Sequence, residues 1–77
     1  MTVSEAEGWK LALTGAGVIQ NLGPRPIYVK KGTSVPTDNS DQFYKLAYEE
    51  VECGDAAVNI YVRTSGSETC TVSVWAV

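Results

Sequence analysis

Histidine does not occur in this 77-residue chain, so the side chain most often used as a general base or neutral metal ligand is missing. Basic clusters are scarce too. Lys30-Lys31 is the only adjacent pair among six bases, set against nine acids for a formal charge of −3. That balance argues against a nucleic-acid partner, which requires a basic stripe to neutralise phosphates. No apolar run approaches membrane-spanning length, so no membrane partner is expected. Met1–Gly8 has neither the basic start nor the apolar core of a signal peptide, and Asn-x-Ser/Thr acceptors are absent; both read as synthesis in the cytoplasm. Cysteine is limited to Cys53 and Cys70, which a reducing compartment keeps as free thiols. Two thiols without an imidazole do not make a structural zinc site, and no cofactor or metal is expected. The chain is also short. A domain of this size buries only about 60–65% of its unfolded surface and usually relies on a disulfide, a metal or oligomerisation for stability, so self-association is expected.

What the chain does contain is strand grammar. Pro26-Ile27-Tyr28-Val29-Lys30-Lys31-Gly32-Thr33-Ser34 is echoed by Asn59-Ile60-Tyr61-Val62-Arg63-Thr64-Ser65-Gly66-Ser67. Each copy alternates aliphatic residues with Tyr or a base and then runs into a Gly/Ser/Thr turn, the pattern of a half-buried strand. The spacing predicts an all-β fold, a small antiparallel sandwich or barrel of about six strands: Trp9–Leu13, Val18–Leu22, Ile27–Lys30, Phe43–Val51, Ala57–Arg63 and Cys70–Ala76. Ser65-Gly66-Ser67 reads as a hairpin, Cys53-Gly54-Asp55 as a turn, and the two echoed strands as members of one sheet. Residues 1–8 form an irregular N-terminal arm ahead of a single domain, 9–77. Ser4 and Glu7 have capping-box spacing, enough for one helical turn, and the arm either frays or orders against a neighbouring subunit.

Catalytic constellations are not evident. Gly15-Ala16-Gly17 carries Gln20 where a dinucleotide fingerprint needs its third glycine, and no Gly-x-Ser-x-Gly elbow exists. Glu49, Glu50, Glu52 and Asp55 are the densest acids, but strand alternation sends neighbouring carboxylates to opposite faces. They read as a solvated strand end. Asp38-Asn39-Ser40-Asp41 reads as turn chemistry. The chain is therefore expected not to be an enzyme. The aromatics are more informative. Alternation turns Tyr28, Tyr61 and Trp75 outward, with Lys30 and Arg63 beside them, and Tyr, Trp and Arg are the residues that anchor interfaces. These five residues are the expected contact surface, with the Lys31–Asp41 loop as a secondary one.

Val18-Ile19-Gln20-Asn21-Leu22-Gly23, then Ile27-Tyr28-Val29-Lys30, and finally Ile60-Tyr61-Val62-Arg63 with Thr71-Val72-Ser73-Val74, resembles small virion proteins of tailed bacteriophages over Gly15–Val77. The resemblance implies a β module that decorates or cements the capsid, bound to the major capsid protein or another virion protein. It also implies self-association, as a homotrimer, and assembly into the virion in the host cytoplasm. It carries over no catalytic or ligand residue. Two other roles fit the same residues: a tail- or fibre-attachment protein, and a carbohydrate-binding module using Tyr28, Tyr61 and Trp75 as stacking platforms.

Overall fold

A computed structural model describes residues 1–37 and 43–76. Eight strands form two four-stranded antiparallel sheets packed as a sandwich. In chain order they are β1 (Thr2–Val3), β2 (Lys10–Thr14), β3 (Gly17–Asn21), β4 (Ile27–Gly32), β5 (Tyr44–Leu46), β6 (Val51–Gly54), β7 (Asn59–Thr64) and β8 (Cys70–Ala76). One sheet has the order β1-β8-β3-β6 and the other β2-β7-β4-β5. The all-β class agrees with the alternation in the sequence, and the echoed phrases pair with one another: Tyr28 lies opposite Arg63 and Val29 opposite Val62 on β4 and β7. Ile27, Val29, Ile60, Val62, Leu13 and Leu46 from one sheet meet Val3, Ile19, Cys70 and Val72 from the other. Each fully buried aliphatic side chain contributes about 1.5–3 kcal/mol.

Among the described residues there are eight strands and not about six, and five further expectations require correction. The N-terminal arm belongs to the domain: β1 pairs with β8, the terminal ammonium donates to Val72 O at 2.8 Å, and Val3 is fully buried. Its one helical turn is present as a 3₁₀ turn, Glu5–Glu7, with the Ser4–Glu7 capping box formed. Strict alternation along the expected strand Trp9–Leu13 puts Trp9, Leu11 and Leu13 on one face, but they do not share one, because a bulge between Leu11 and Leu13 inserts one residue and inverts the alternation; Leu13 enters the core while Leu11 faces out. The expected strand Phe43–Val51 is two strands in different sheets. Glu49 adopts φ 69° and Glu50 N–H donates to Ala47 O at 3.0 Å, closing a turn that carries the chain across. Cys53 and Gly54 consequently end β6, and the turn falls at Asp55–Val58. Finally, Ser65-Gly66-Ser67 is an arch between sheets and not a hairpin, since β7 and β8 lie in different sheets.

Asn21 ties several of these segments together. Its side chain is fully buried, yet Nδ2 donates to Arg25 O and to Leu46 O, both at 2.9 Å, while Oδ1 accepts from Gly23 N–H at 2.8 Å. Its backbone donates to Glu50 O and accepts from Glu49 N–H. The Asn-x-Gly stretch thus forms a turn in which the Asn21 side chain fastens the end of β5 and the Asn21 backbone fastens the Glu49–Glu50 turn.

Candidate functional site

The five expected contact residues divide between opposite sides of the sandwich. Tyr28, Lys30, Tyr61 and Arg63 lie on the outer face of the β2-β7-β4-β5 sheet. Trp75 lies on β8, on the outer face of the other sheet, 54% exposed. The premise of one shared aromatic face therefore fails. The reason is topological: β7 and β8 follow one another in the chain but occupy different layers. Tyr61 is also not an exposed platform. It is 4% exposed, stands between Leu11 and Lys30 in the ladder, and its hydroxyl accepts from Asn59 Nδ2 at 3.1 Å. Within the expected secondary surface, Asp38–Asp41 fall outside the described residues.

The outer face of the β2-β7-β4-β5 sheet is basic and aromatic. Lys45 stands opposite Tyr28, and Tyr28 opposite Arg63. Phe43 packs on Tyr28 at 4.5 Å between ring centroids and on Trp9 at 5.9 Å, and the Arg63 guanidinium sits 5.7 Å from the Trp9 ring. Trp9 and Phe43, which the sequence reading did not place among the contacts, hold this face together. Phe43's place on it was legible only from its distance to Leu46, an odd number of strand positions.

The outer face of the β1-β8-β3-β6 sheet has a different chemistry. Cys53, Val18 and Trp75 line up across β6, β3 and β8, and Val51, Gln20 and Ser73 form the next row. Thr2 stands opposite Thr71 at the end of β8, and Leu22 extends β3 outward, exposed. None of these side chains carries a charge. Val51 and Trp75 are both more than half exposed, so the apolar surface lies along the Cys53–Val18–Trp75 row and the β6 edge, with Gln20 and Ser73 in the middle row and Thr2 and Thr71 at the other end. The sequence signal that could have found this face is the uncharged odd-even series Thr71, Ser73, Trp75 alongside Val18, Gln20, Leu22.

Charge concentrates instead at the open edge between the sheets. Lys31 Nζ bridges Glu52 at 2.8 Å and Asp55 at 3.4 Å. The hydrogen bond to Glu52 raises the Lys31 pKa above the usual lysine value despite partial burial. Partial burial and then the same carboxylate push the Tyr44 phenol up as well. Glu52, expected to be a solvated strand end, is therefore directed inward, where it clasps β6 to β4 and β5. Among the described residues no group of three or more Cys, Asp or Glu side chains is placed to hold a metal ion.

Cys53 and Cys70 are unpaired. Cys70 is buried in the core, whereas Cys53 is exposed and level with Trp75, at the far end of β8 from Cys70. β3 also separates their strands, so the two sulfurs lie well beyond the Cα separation of about 7 Å that a disulfide tolerates. Thiol titration of the native chain should find one fast-reacting group, and titration after denaturation two. Two fast groups in the native chain would contradict the burial of Cys70.

Comparison of the chain with protein-family models, with curated proteins and with solved structures finds no match. The functional reading therefore rests on the geometry above and on the resemblance in the strand motifs.

Proposed function

We propose that this chain is a non-enzymatic structural protein of a phage virion, docked on the capsid through the uncharged outer face of the β1-β8-β3-β6 sheet. The observation that carries the reading is that, among the described residues, none of the paired strand residues facing out on that sheet is charged, in a chain of net charge −3. Interfaces are depleted of charge and enriched in Trp, and Trp75 and Val51 stand exposed on this face, Trp75 in the row with Val18 and Val51 on the edge strand β6. The molecule measures 31 × 26 × 17 Å, so its broad side as a whole is on the order of the roughly 800 Å² per partner of a standard interface. Edges are less suited to docking. β1 has two residues, β5 three, β2 is bulged, and β6 turns the charged Glu52 inward, all devices that discourage edge pairing. The resemblance supplies the particle, and the short chain supplies the motive for self-association, as a trimer on the lattice. Docking to the tail or fibres would use the same face against a different partner.

The test is addition of purified chain to particles lacking it, with occupancy measured by quantitative gel and the location by electron microscopy. Trp75→Lys and Val51→Lys should each weaken occupancy roughly thirtyfold or more, the scale of losing a buried anchor worth about 2 kcal/mol. Lys45→Ala, on the opposite side, should leave it unchanged. Equal occupancy by all three variants would refute this face as the docking surface, and density on the tail would replace capsid by tail.

A further inference from the structure

On the opposite side of the sandwich a cleft of about 450 Å³ opens between the Arg25-Pro26 segment, Tyr28, Lys45 and the Ser65–Glu68 arch. We propose that this cleft is a binding site for an acidic sugar, a pyranose bearing a carboxylate. It lies on the other sheet from the docking face, and the inference stands independently of that reading.

Three observations carry it. The walls are set in advance of any ligand. Buried Asn21 holds Arg25 O and Leu46 O, so one amide places both the Arg25 wall and the strand end bearing Lys45. Cys70 Sγ lies 3.4 Å from the same Arg25 carbonyl, and Ser65 Oγ donates to Pro26 O at 2.6 Å, pinning the arch to the wall opposite. Fixed walls reduce the ordering cost of binding.

The donors are uncommitted. Arg25 meets Glu68 through Nε alone, at 3.3 Å, which leaves its terminal guanidinium nitrogens without a partner among the described residues. Lys45, exposed on the strand opposite Tyr28, makes no ion pair among them. A guanidinium fork with an ammonium across a small cleft matches a carboxylate, which accepts two parallel hydrogen bonds from Arg and a further one from Lys.

The remaining lining selects a sugar over a bare anion or an acidic peptide. Glu68 is a pure acceptor and would repel a second carboxylate brought by a peptide, whereas it accepts well from sugar hydroxyls. The half-buried Tyr28 ring, backed by Phe43, offers an apolar surface for the C–H side of a pyranose. An inorganic anion would use the cations and leave both groups idle. Of the three aromatics expected as sugar platforms, Tyr28 alone lines the cleft.

Titration of the purified chain with galacturonate, followed by ¹H–¹⁵N chemical-shift changes, is the direct experiment, with glucose, phosphate and a tetraglutamate peptide as comparison probes. Galacturonate should saturate in the millimolar range or tighter and shift the amides of Tyr28, Lys45, Gly66 and Glu68. Arg25→Gln and Lys45→Met should each weaken it roughly ten- to a hundredfold, the loss of one charge-assisted contact. Glu68→Gln should weaken galacturonate but not phosphate. All three side chains are exposed, so unchanged amide spectra elsewhere verify the fold. Saturation by phosphate or the peptide at equal or lower concentration than galacturonate overturns the assignment. So does equal binding of glucose, indifference to the Arg25 and Lys45 variants, or no shift at all.

Discussion

Asn21→Leu should lower the melting temperature by about 15 °C or more, or abolish folding at 37 °C. The substitution keeps the branched four-atom side chain but removes three side-chain hydrogen bonds, leaving Gly23 N–H without its partner and weakening the satisfaction of the Arg25 and Leu46 carbonyls. Each buried polar group left unsatisfied costs about 1–3 kcal/mol. Partial relaxation at the Arg25 turn brings the sum to about 4 kcal/mol, and a domain of this size shifts by about 4–8 °C per kcal/mol. The whole fold has roughly 4–12 kcal/mol to lose. Differential scanning fluorimetry with Trp9 and Trp75 as reporters checks it, and a shift under about 5 °C would contradict the role assigned to this amide. Asn21→Asp sharpens the test. Ionised, the carboxylate keeps the acceptor toward Gly23 but faces two carbonyl oxygens, so its pKa in the folded state must rise above the unfolded value of about 3.9. A raised acid destabilises increasingly as pH climbs from the unfolded toward the folded pKa. Relative to the parent chain, N21D should therefore regain stability on acidification from pH 7 to pH 4, and a constant deficit across that range would argue against a buried carboxylate.

Gly54→Ala should cost about 3 kcal/mol, a large penalty for adding one methyl group. Gly54 pairs with Gly17 across β6 and β3, and Leu13 from the other sheet is seated over the pair. A Cβ at Gly54 would collide with the Gly15 carbonyl oxygen and stand 2.7 Å from Leu13 Cδ2; one at Gly17 would collide with Trp75 O and stand 3.1 Å from Leu13 Cδ1. Two of these obstacles are backbone and cannot rotate away, which places the change at the upper end of overpacking costs of about 1–3 kcal/mol. Urea unfolding of the variant should show a lower midpoint at unchanged slope. Gly66→Ala supplies the comparison, because a Cβ there meets nothing within 4 Å; it should be within about 0.5 kcal/mol of the parent. If both alanines behave alike, the glycine socket for Leu13 is not a packing constraint. Shortening Leu13 to alanine in the Gly54→Ala background should restore little, since the Gly15 carbonyl still blocks the new methyl.

The sequence by itself determined the all-β class and the strand cores of β3, β4, β7 and β8, because period-two alternation is a local property that survives any arrangement of the strands; it placed the two echoed strands in one sheet, and the tertiary structure made them neighbours. The Ser4–Glu7 capping box was legible for the same reason. What lay beyond reach was each point where the chain changes layer. The arch at Ser65–Ser67 contains the same residue types as a hairpin, and the turn at Ala47–Glu50 contains no Gly, Pro, Asn or Asp to mark it; only the competition among strands for the buried faces decides whether the next strand pairs with its predecessor or crosses over it. That decision sent Trp75 to the opposite side from Tyr28 and separated the expected contact surface into an uncharged face and a basic one. The bulge in β2 acted similarly at shorter range: one inserted residue inverted the facing of Trp9 and Leu11 relative to Leu13. Asn21 shows both limits at once. Its place before Gly23 made the turn predictable, but the carbonyls of Arg25 and Leu46 reach its amide only when two sheets close over it, so its part in shaping the Arg25–Lys45 cleft belongs to the tertiary structure alone.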